Sequence, residues 1–341
     1  MWQTIGQEKI IDLLKQALGR DSLSHAYLLT GPPRVGKMTL ALDLARALNC
    51  REEKERRPCG ECPSCQKISD GKHSDIRIVS LNQNSGAEDT KERTEIGIEQ
   101  IKEMLHSASL PPFEGKYRVY IIDEAAQLSM EAANRLLKTL EEPADKVVFI
   151  LLTANVHLIP VTVISRCQRL NLSRMKTENI ENALIVHWKI EPEKAKLFSR
   201  LSRGCLGWAI EGAGNPDLLQ ERGEKFEKML SVMRSNYSER FATAAQLAQQ
   251  FGKKREAVYE TLDTWAGWWR DILLVKAGCS DDIVSIDYMS SLAEMARAYN
   301  LAQIKTVIHN VTEASAQLKL NANSRLVMEA LMLNIPGPGK S

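Results

Sequence analysis

The stretch Gly31-Pro32-Pro33-Arg34-Val35-Gly36-Lys37 decides the fold, because it has the spacing of a phosphate-binding loop. A short apolar strand is predicted before it at 26–30, and the leucine spacing after it predicts a helix over 39–48. In that context the backbone N–H groups and the helix amino end bind phosphate oxygens, and Lys37 adds a positive charge. A chance match is the alternative, and the flanking strand and helix argue against it. The candidate nucleotide contacts in this segment are Gly31, Gly36, Lys37 and Thr39.

Met38 stands at the position where such a loop supplies a hydroxyl group to magnesium. Thr39 is no simple substitute, since successive helical residues point about 100° apart. ATP can still bind through the loop and Lys37, whereas efficient hydrolysis is not expected without the magnesium ligand. The sequence leaves open whether the loop holds ATP and Mg²⁺ or is vestigial.

Two further apolar runs, at 117–122 and 147–152, flank a predicted helix over 130–141. This alternation predicts a parallel sheet covered by helices. Asp123 and Glu124 follow the first run, at the edge where such sheets bind ligands, and Glu124 could polarise an attacking water. A solvated strand end is the alternative for this acidic pair taken alone. Together with the phosphate-binding loop, the pair is predicted to belong to a nucleotide site.

Length and charge limit the classes of function. A chain of 341 residues is expected to form two or three domains. Its 45 Lys and Arg residues nearly balance 43 Asp and Glu residues, so no strong basic footprint for nucleic acid is present. There is no apolar run of membrane-spanning length and no signal-peptide pattern near the amino terminus. We therefore expect a cytoplasmic protein whose DNA contacts, if it makes any, are local or shared with partners.

Four of the seven cysteines form a C-x8-C-x2-C-x2-C array, comprising Cys50, Cys59, Cys62 and Cys65. Four thiolates at this spacing can close a tetrahedral zinc site, and the charged segment between the first two could not form a core without metal. The sequence thus predicts structural Zn²⁺. An iron–sulfur cluster and unligated reduced cysteines are the alternatives. The other three, Cys167, Cys205 and Cys279, are expected to be buried small residues or incidental thiols.

The order of motifs resembles the bacterial clamp-loader family of AAA+ proteins. The resemblance rests on the phosphate-binding loop, the cysteine array, Tyr120-Ile121-Ile122-Asp123-Glu124-Ala125, the segment 134–143 (Asn-Arg-Leu-Leu-Lys-Thr-Leu-Glu-Glu-Pro) and Ser165-Arg166-Cys167. It covers the first 170 or so residues strongly and the next forty moderately. It implies that Arg166 reaches the ATP of a neighbouring subunit as an arginine finger in trans. It also implies a γ-phosphate sensor at Asn155, with Thr153 as a neighbouring candidate. The alternative for Arg166 is an ordinary salt bridge.

A second departure from the family pattern lies at Gly207. Motor members of the family carry an arginine in a glycine-initiated helix, and the matching stretch here is 204–209 (Gly-Cys-Leu-Gly-Trp-Ala), with Gly207 at the arginine position. Losing a magnesium ligand and a phosphate-contacting cation removes two charge-neutralising groups. The resemblance therefore implies a stationary, non-catalytic subunit of a DNA polymerase holoenzyme, whose own ATPase activity is weak or absent.

The resemblance also implies the domain organisation. The predicted fold class is α/β: an AAA+ P-loop parallel-sheet domain at 1–172 with a zinc module at about 50–66, a small helical lid domain at 173–213, an all-α collar domain at 216–335 and a disordered tail at 336–341. Trp265, Trp268 and Trp269 share one helical face in the third domain, where a core role is favoured over an interface role. The polar stretch 82–95 is interpreted as a loop of undecided role.

Three functions are weighed. The first is a stator of the clamp loader, working with ATPase motor and clamp-opener subunits to place a sliding clamp on primed DNA. The second is an active ATPase motor subunit of the same assembly. The third, from another class, is a zinc-containing scaffold without a nucleotide role.

Overall fold

A computed structural model describes residues 1–81, 95–215, 217–279, 282–320 and 322–336. The chain forms two compact units, one comprising Met1–Asn179 with Gly204–Trp208 and the other Ile180–Arg203 with Ala209–Ser341. The expectations for the loop at 82–94 and for the tail beyond 336 lie outside the described residues. The proposed boundaries of the lid and collar domains stay predictions.

The described part of the chain contains five strands: β1 (Ala26–Thr30), β2 (Ile76–Val79), β3 (Arg118–Ile122), β4 (Val147–Thr153) and β5 (Gln168–Asn171). They form one parallel sheet in the order β2-β3-β4-β1-β5. Thr30 pairs with Thr153 and Ile122 with Leu151, so β1, β3 and β4 end at the same edge. The predicted parallel sheet is therefore confirmed, and its carboxyl edge holds the segments that follow these three strands.

The helices up to the end of the sheet region are α1 (Glu8–Gly19), α2 (Lys37–Asn49), α3 (Pro63–Ser69), α4 (Ile98–Ala108), α5 (Met130–Glu141) and α6 (Val161–Ile164). They cover both faces of the sheet. One face packs against α1 and α2 through alternate strand residues such as Leu29 and Ile150. The other packs against α4, α5 and α6 through Leu28 and Leu151. Every residue of β1 and β4 is buried, because a parallel sheet covered on both faces leaves no strand side facing water.

The remaining helices are α7 (Thr177–Trp188), α8 (Pro192–Leu201), α9 (Leu206–Gly214), α10 (Asp217–Arg234), α11 (Tyr237–Lys253), α12 (Arg255–Lys276), α13 (Met289–Ala298), α14 (Leu301–Lys319) and α15 (Ser324–Asn334). In the second unit α12 packs against α10, α13 and α14, and α11 packs against α15. Trp265, Trp268 and Trp269 are each 1% exposed and belong to this core. The predicted core role of the tryptophans is confirmed.

Over the described residues, no helix combines the length and the apolar character that crossing a membrane requires.

Candidate nucleotide site, Arg166 and candidate metal centre

The phosphate-binding loop joins β1 to α2, as the sequence predicts, and α2 begins at Lys37. The loop turns sharply because Gly31, Arg34 and Gly36 have φ values of 147°, 60° and 104°. A side chain is excluded at Gly31, where a Cβ atom would lie 2.7 Å from the carbonyl oxygen of Leu172. This backbone path brings the amino end of α2 to the carboxyl edge of the sheet, next to the segments that follow β3 and β4.

The Lys37 ammonium group is held by its own loop. Its Nζ atom donates hydrogen bonds to the carbonyl oxygens of Gly31 and Pro32, both at 2.8 Å. Burial lowers the pKa of Lys37, and the charges of Asp123 and Glu124 oppose that change. The ammonium group of Lys37 thus lies between loop carbonyl oxygens and near the charges of two carboxylates.

A cavity of about 430 Å³ lies at this edge of the sheet, a size suited to a small-molecule ligand. Its walls come from the loop, the first turn of α2, the acidic pair, the end of β4 and the start of α9. The lining residues are Pro33, Arg34, Gly36, Lys37, Met38, Thr39, Asp123, Glu124, Leu152, Thr153, Ala154 and Gly207. Five of the seven residues predicted to bind nucleotide thus meet around one cavity: Gly36, Lys37, Thr39, Asp123 and Glu124.

Two residues predicted for nucleotide binding have other contacts. Gly31 is not among the lining residues, and its carbonyl oxygen accepts from Lys37. The Asn155 side chain caps the short helix Val156–Leu158 by accepting from the backbone nitrogen of His157. Thr153, the neighbouring candidate, lines the cavity. Its hydroxyl donates to the carbonyl oxygen of Asn155 at 3.0 Å.

Two residues around the cavity lack the chemistry that phosphoryl transfer uses. Met38 lines it and also packs against the core on the α1–α2 face of the sheet, so an apolar thioether stands where a hydroxyl would bind magnesium. Gly207 lines it without a side chain, and its backbone nitrogen donates to the carbonyl oxygen of Arg34 at 3.0 Å. A Cβ atom at Gly207 would lie 2.7 Å from that oxygen. A longer side chain has no room there in this conformation.

Arg166 lies in the turn between α6 and β5 and is not among the residues that line the cavity of its own chain. Its Nη1 atom donates to the carbonyl oxygen of Thr162 at 2.8 Å and to Oγ of Ser165 at 3.4 Å. Its Nη2 atom pairs with Oε1 of Glu141, and the Arg166 side chain is 32% exposed. Glu141 is not among the site residues predicted from the sequence, because it ends α5, 25 positions before Arg166 along the chain. The guanidinium is accessible to a second molecule.

The four predicted metal ligands come together. The Sγ atoms of Cys50, Cys59, Cys62 and Cys65 all lie within 4.8 Å of one another. The Cys50–Cys62 separation is 4.0 Å and the Cys59–Cys65 separation is 3.9 Å. A tetrahedral zinc ion with Zn–S bonds of about 2.3 Å separates its sulfur ligands by about 3.8 Å. The cluster could therefore hold zinc with little movement.

Hydrogen bonds favour the thiolate form at Cys62, whereas burial raises the pKa of Cys50 and that of Cys65. Burial would raise the pKa of Cys62, but hydrogen bonds, including one from the backbone of Arg51, lower it to about 6. The backbone nitrogen of Cys62 in turn donates to Sγ of Cys59 at 3.3 Å. The cluster is also tied to the sheet, since Nζ of Lys116 donates to the carbonyl oxygen of Cys50 at 3.0 Å. The other cysteines lie elsewhere: Cys205 is buried, Cys167 half-buried and Cys279 exposed.

Comparison with known proteins agrees with this architecture. A family model described as "DNA polymerase III, delta subunit" matches residues 6–176, and one described as "DNA polymerase III, delta subunit, C terminal" matches residues 217–336. The delta-prime subunit of DNA polymerase III from Bacillus subtilis is 30% identical over 96% of this chain and 95% of its own length. The tau subunit from the same organism is 29% identical over 97% of this chain, which spans 60% of that subunit.

A solved structure from Thermotoga maritima, a DNA polymerase III gamma subunit-related protein, is 15% identical with a TM-score of 0.46, covering 95% of this chain and 98% of its own. The family assignment rests on the sequence matches, which extend through both compact units. The chain belongs to the delta-prime family of DNA polymerase III clamp-loader subunits.

Proposed function

We propose that this chain is the stator of its clamp loader and donates Arg166 to ATP bound by a neighbouring motor subunit. The observation that carries the proposal is the position of Arg166: its guanidinium is accessible and does not line the cavity of its own chain. A planar, permanently charged group suits the phosphoryl charge of a transition state. A cation that does not reach its own phosphate site can act on the site of a partner.

The cavity of this chain supports the same proposal, in which a neighbouring subunit and not this one hydrolyses ATP. Lys37 keeps the charge that attracts phosphate, while Met38 supplies no magnesium ligand and Gly207 no cation. We infer that any ATP bound here is hydrolysed slowly or not at all. The motor alternative requires turnover by the isolated protein, and the scaffold alternative requires that neither ATP binding nor Arg166 has any effect on the assembly.

The wider role follows from the family. We propose that the partners are the motor and clamp-opener subunits, that the assembly places the sliding clamp on primer-template DNA in the bacterial cytoplasm, and that the cysteine cluster holds one structural Zn²⁺ ion. The zinc would have a structural role, because four thiolate ligands leave no open coordination position for catalysis. It would hold the segment between α2 and β2 in its folded form.

The decisive experiment measures ATP hydrolysis, stimulated by clamp and primed DNA, in loaders rebuilt with wild-type chain or Arg166→Ala. Removing a finger slows the served site by about 10³- to 10⁵-fold, so the turnover carried by that site should disappear. Arg169→Ala is the matched control, since Arg169 is an exposed arginine on the neighbouring strand β5. Unchanged turnover in Arg166→Ala loaders that assemble normally would refute the stator proposal.

A further inference from the structure

The guanidinium of Arg166 is held by three oxygen atoms of its own chain before any partner is present. Two come from the α6 segment, the Thr162 carbonyl and the Ser165 hydroxyl, and both bind Nη1. The third is the carboxylate of Glu141, the last residue of α5, which binds Nη2. Helices α5 and α6 pack against each other, so the acceptors on both sides of the guanidinium sit on adjoining elements.

This arrangement leaves donors for a ligand. A guanidinium carries five N–H groups in a rigid fork. The contacts of Arg166 among the described residues use Nη1 and Nη2, and none of them uses Nε. Glu141 can therefore accept from one N–H group of Nη2 while Nε–H and the second N–H group of Nη2 bind an anion. The carboxylate need not leave for the arginine to act.

Holding the arginine in advance has a kinetic consequence. A free arginine side chain has rotamer entropy that must be lost when the group is fixed in a transition state. A neighbouring residue that fixes the arginine side chain beforehand removes part of this entropy cost. A charged group that is correctly placed accelerates the reaction more than one that is merely present. Because the Glu141 side chain is 51% exposed, the ion pair itself should add little to folding stability.

We propose that Glu141 is a positioning residue for Arg166, which keeps the guanidinium extended at the surface in the orientation used on a neighbouring subunit's ATP. The inference rests on the stator function proposed above. It assigns Glu141 no contact with the nucleotide and makes its effect conditional on the presence of Arg166.

The test is a double-mutant cycle in the reconstituted loader with ATP, clamp and primed DNA. Glu141→Ala should lower kcat about tenfold and leave KM for ATP unchanged, since the finger acts in the transition state. Glu141→Gln keeps an acceptor oxygen and should recover activity to within about threefold of wild type. In the Arg166→Ala background, Glu141→Ala should have no further effect, because the two residues act as one unit.

Glu142→Ala is the matched control, since Glu142 is the next residue, is also exposed and makes no contact with Arg166 among the described hydrogen bonds and ion pairs. A loader that contains Glu142→Ala should hydrolyse ATP at the wild-type rate. Size-exclusion chromatography of each loader and the thermal midpoint of each isolated chain exclude a loss of assembly or folding.

The outcomes separate the two proposals. If Arg166→Ala itself leaves turnover unchanged, the stator function fails. If Arg166→Ala abolishes turnover while Glu141→Ala does not alter it, the stator function stands and the positioning role fails. An increase in kcat for Glu141→Ala would show that Glu141 restrains the finger, and an equal decrease in the Arg166→Ala background would show a general structural effect. Both results would overturn the positioning role.

Discussion

The backbone nitrogen of Gly207 lies 3.0 Å from the carbonyl oxygen of Arg34, so the start of α9 rests directly on the phosphate-binding loop. The contact is made by main-chain atoms on both sides. A residue with a side chain cannot simply replace Gly207, because the space for its Cβ atom is occupied. The absence of a side-chain cation at this position therefore accompanies the close approach of the two backbones.

Gly207→Ala should destabilise the chain by about 1 to 3 kcal/mol, since the added methyl group forces α9 away from Arg34. Gly207→Arg should be destabilised at least as much and should not gain ATPase activity. Gly214→Ala is the control on the same helix, because its Cβ atom would meet nothing within 4 Å. Urea unfolding of the three variants measures the difference. Equal stability of Gly207→Ala and Gly214→Ala would contradict the contact.

Met38→Thr should make nucleotide binding depend on magnesium. In the wild-type chain we expect the affinity for ATP to be the same with and without Mg²⁺, since no side-chain hydroxyl stands at position 38. The threonine supplies that oxygen and should strengthen binding only when Mg²⁺ is present. Isothermal titration calorimetry measures the ATP affinity of both chains in buffer with and without Mg²⁺. The magnesium-free buffer contains no chelator, because a chelator would also remove zinc.

The control for that experiment is Met130→Thr, which changes an exposed methionine that does not line the cavity. Lys37→Ala should weaken ATP binding in either buffer, because the ammonium group contributes charge whether or not the metal is bound. A wild-type chain that already binds MgATP much more tightly than free ATP would contradict the role given to Met38.

The cysteine cluster should contain one zinc ion per chain, measured by metal analysis of the purified protein. Cys59→Ser should lose the metal and lower the thermal midpoint, since the charged segment between α2 and α3 has no core of its own. Cys279→Ser, at an exposed position outside the cluster, should keep the metal and the wild-type thermal midpoint. Zinc should be released on acidification, because protons compete for the thiolates. Iron with a visible absorption band would instead support the iron–sulfur alternative.

Asp75→Asn should cost about 2 to 4 kcal/mol at neutral pH, because the buried carboxylate accepts the backbone N–H groups of residues 113–115 and pairs with Arg118. Burial would raise the pKa of Asp75, but these hydrogen bonds hold it below its ordinary value. A carboxyl group whose pKa is lower in the folded state stabilises the protein at pH values above its unfolded-state pKa of about 3.9. That contribution is lost as the pH falls through the folded-state value.

The difference between wild type and Asp75→Asn should therefore shrink in the acid range, as measured by denaturant unfolding at several pH values. The exposed Asp12 provides Asp12→Asn as a control, with no expected change at neutral pH. A difference that stays constant down to pH about 2 would argue against the carboxylate as the cause.

Arg240→Ala should destabilise the helical unit by about 3 to 5 kcal/mol. The buried Arg240 guanidinium donates to carbonyl oxygens at the ends of α10 and α15 and between α10 and α11, namely those of Val232, Met233, Ser235, Met332 and Ile335. Its removal leaves these acceptors without their partner. Arg325→Ala removes an exposed arginine paired with Glu329 and should change stability by less than about 1 kcal/mol. Similar unfolding midpoints for both variants would contradict this role.

Several elements could be predicted from the sequence because local pattern encodes them. The apolar runs at β1, β3 and β4 mark strands buried on both faces, and the loop before α2 is fixed by its glycines. The strands β2 and β5 escaped prediction. They lie at the two edges of the sheet, and β5 buries only Leu170, so neither carries a long apolar run.

By itself the sequence determined the phosphate-binding loop, the acidic pair, the four thiols and the arginine in the turn after α6, since each depends on residues spaced closely along the chain. The tertiary structure alone decided that Glu141 holds Arg166, that Gly207 rests on Arg34 and that Thr153, rather than Asn155, lines the cavity. The physical reason is the range of the interactions. Spacing along a strand or helix is set by local backbone geometry, whereas contacts between elements depend on how the whole core packs.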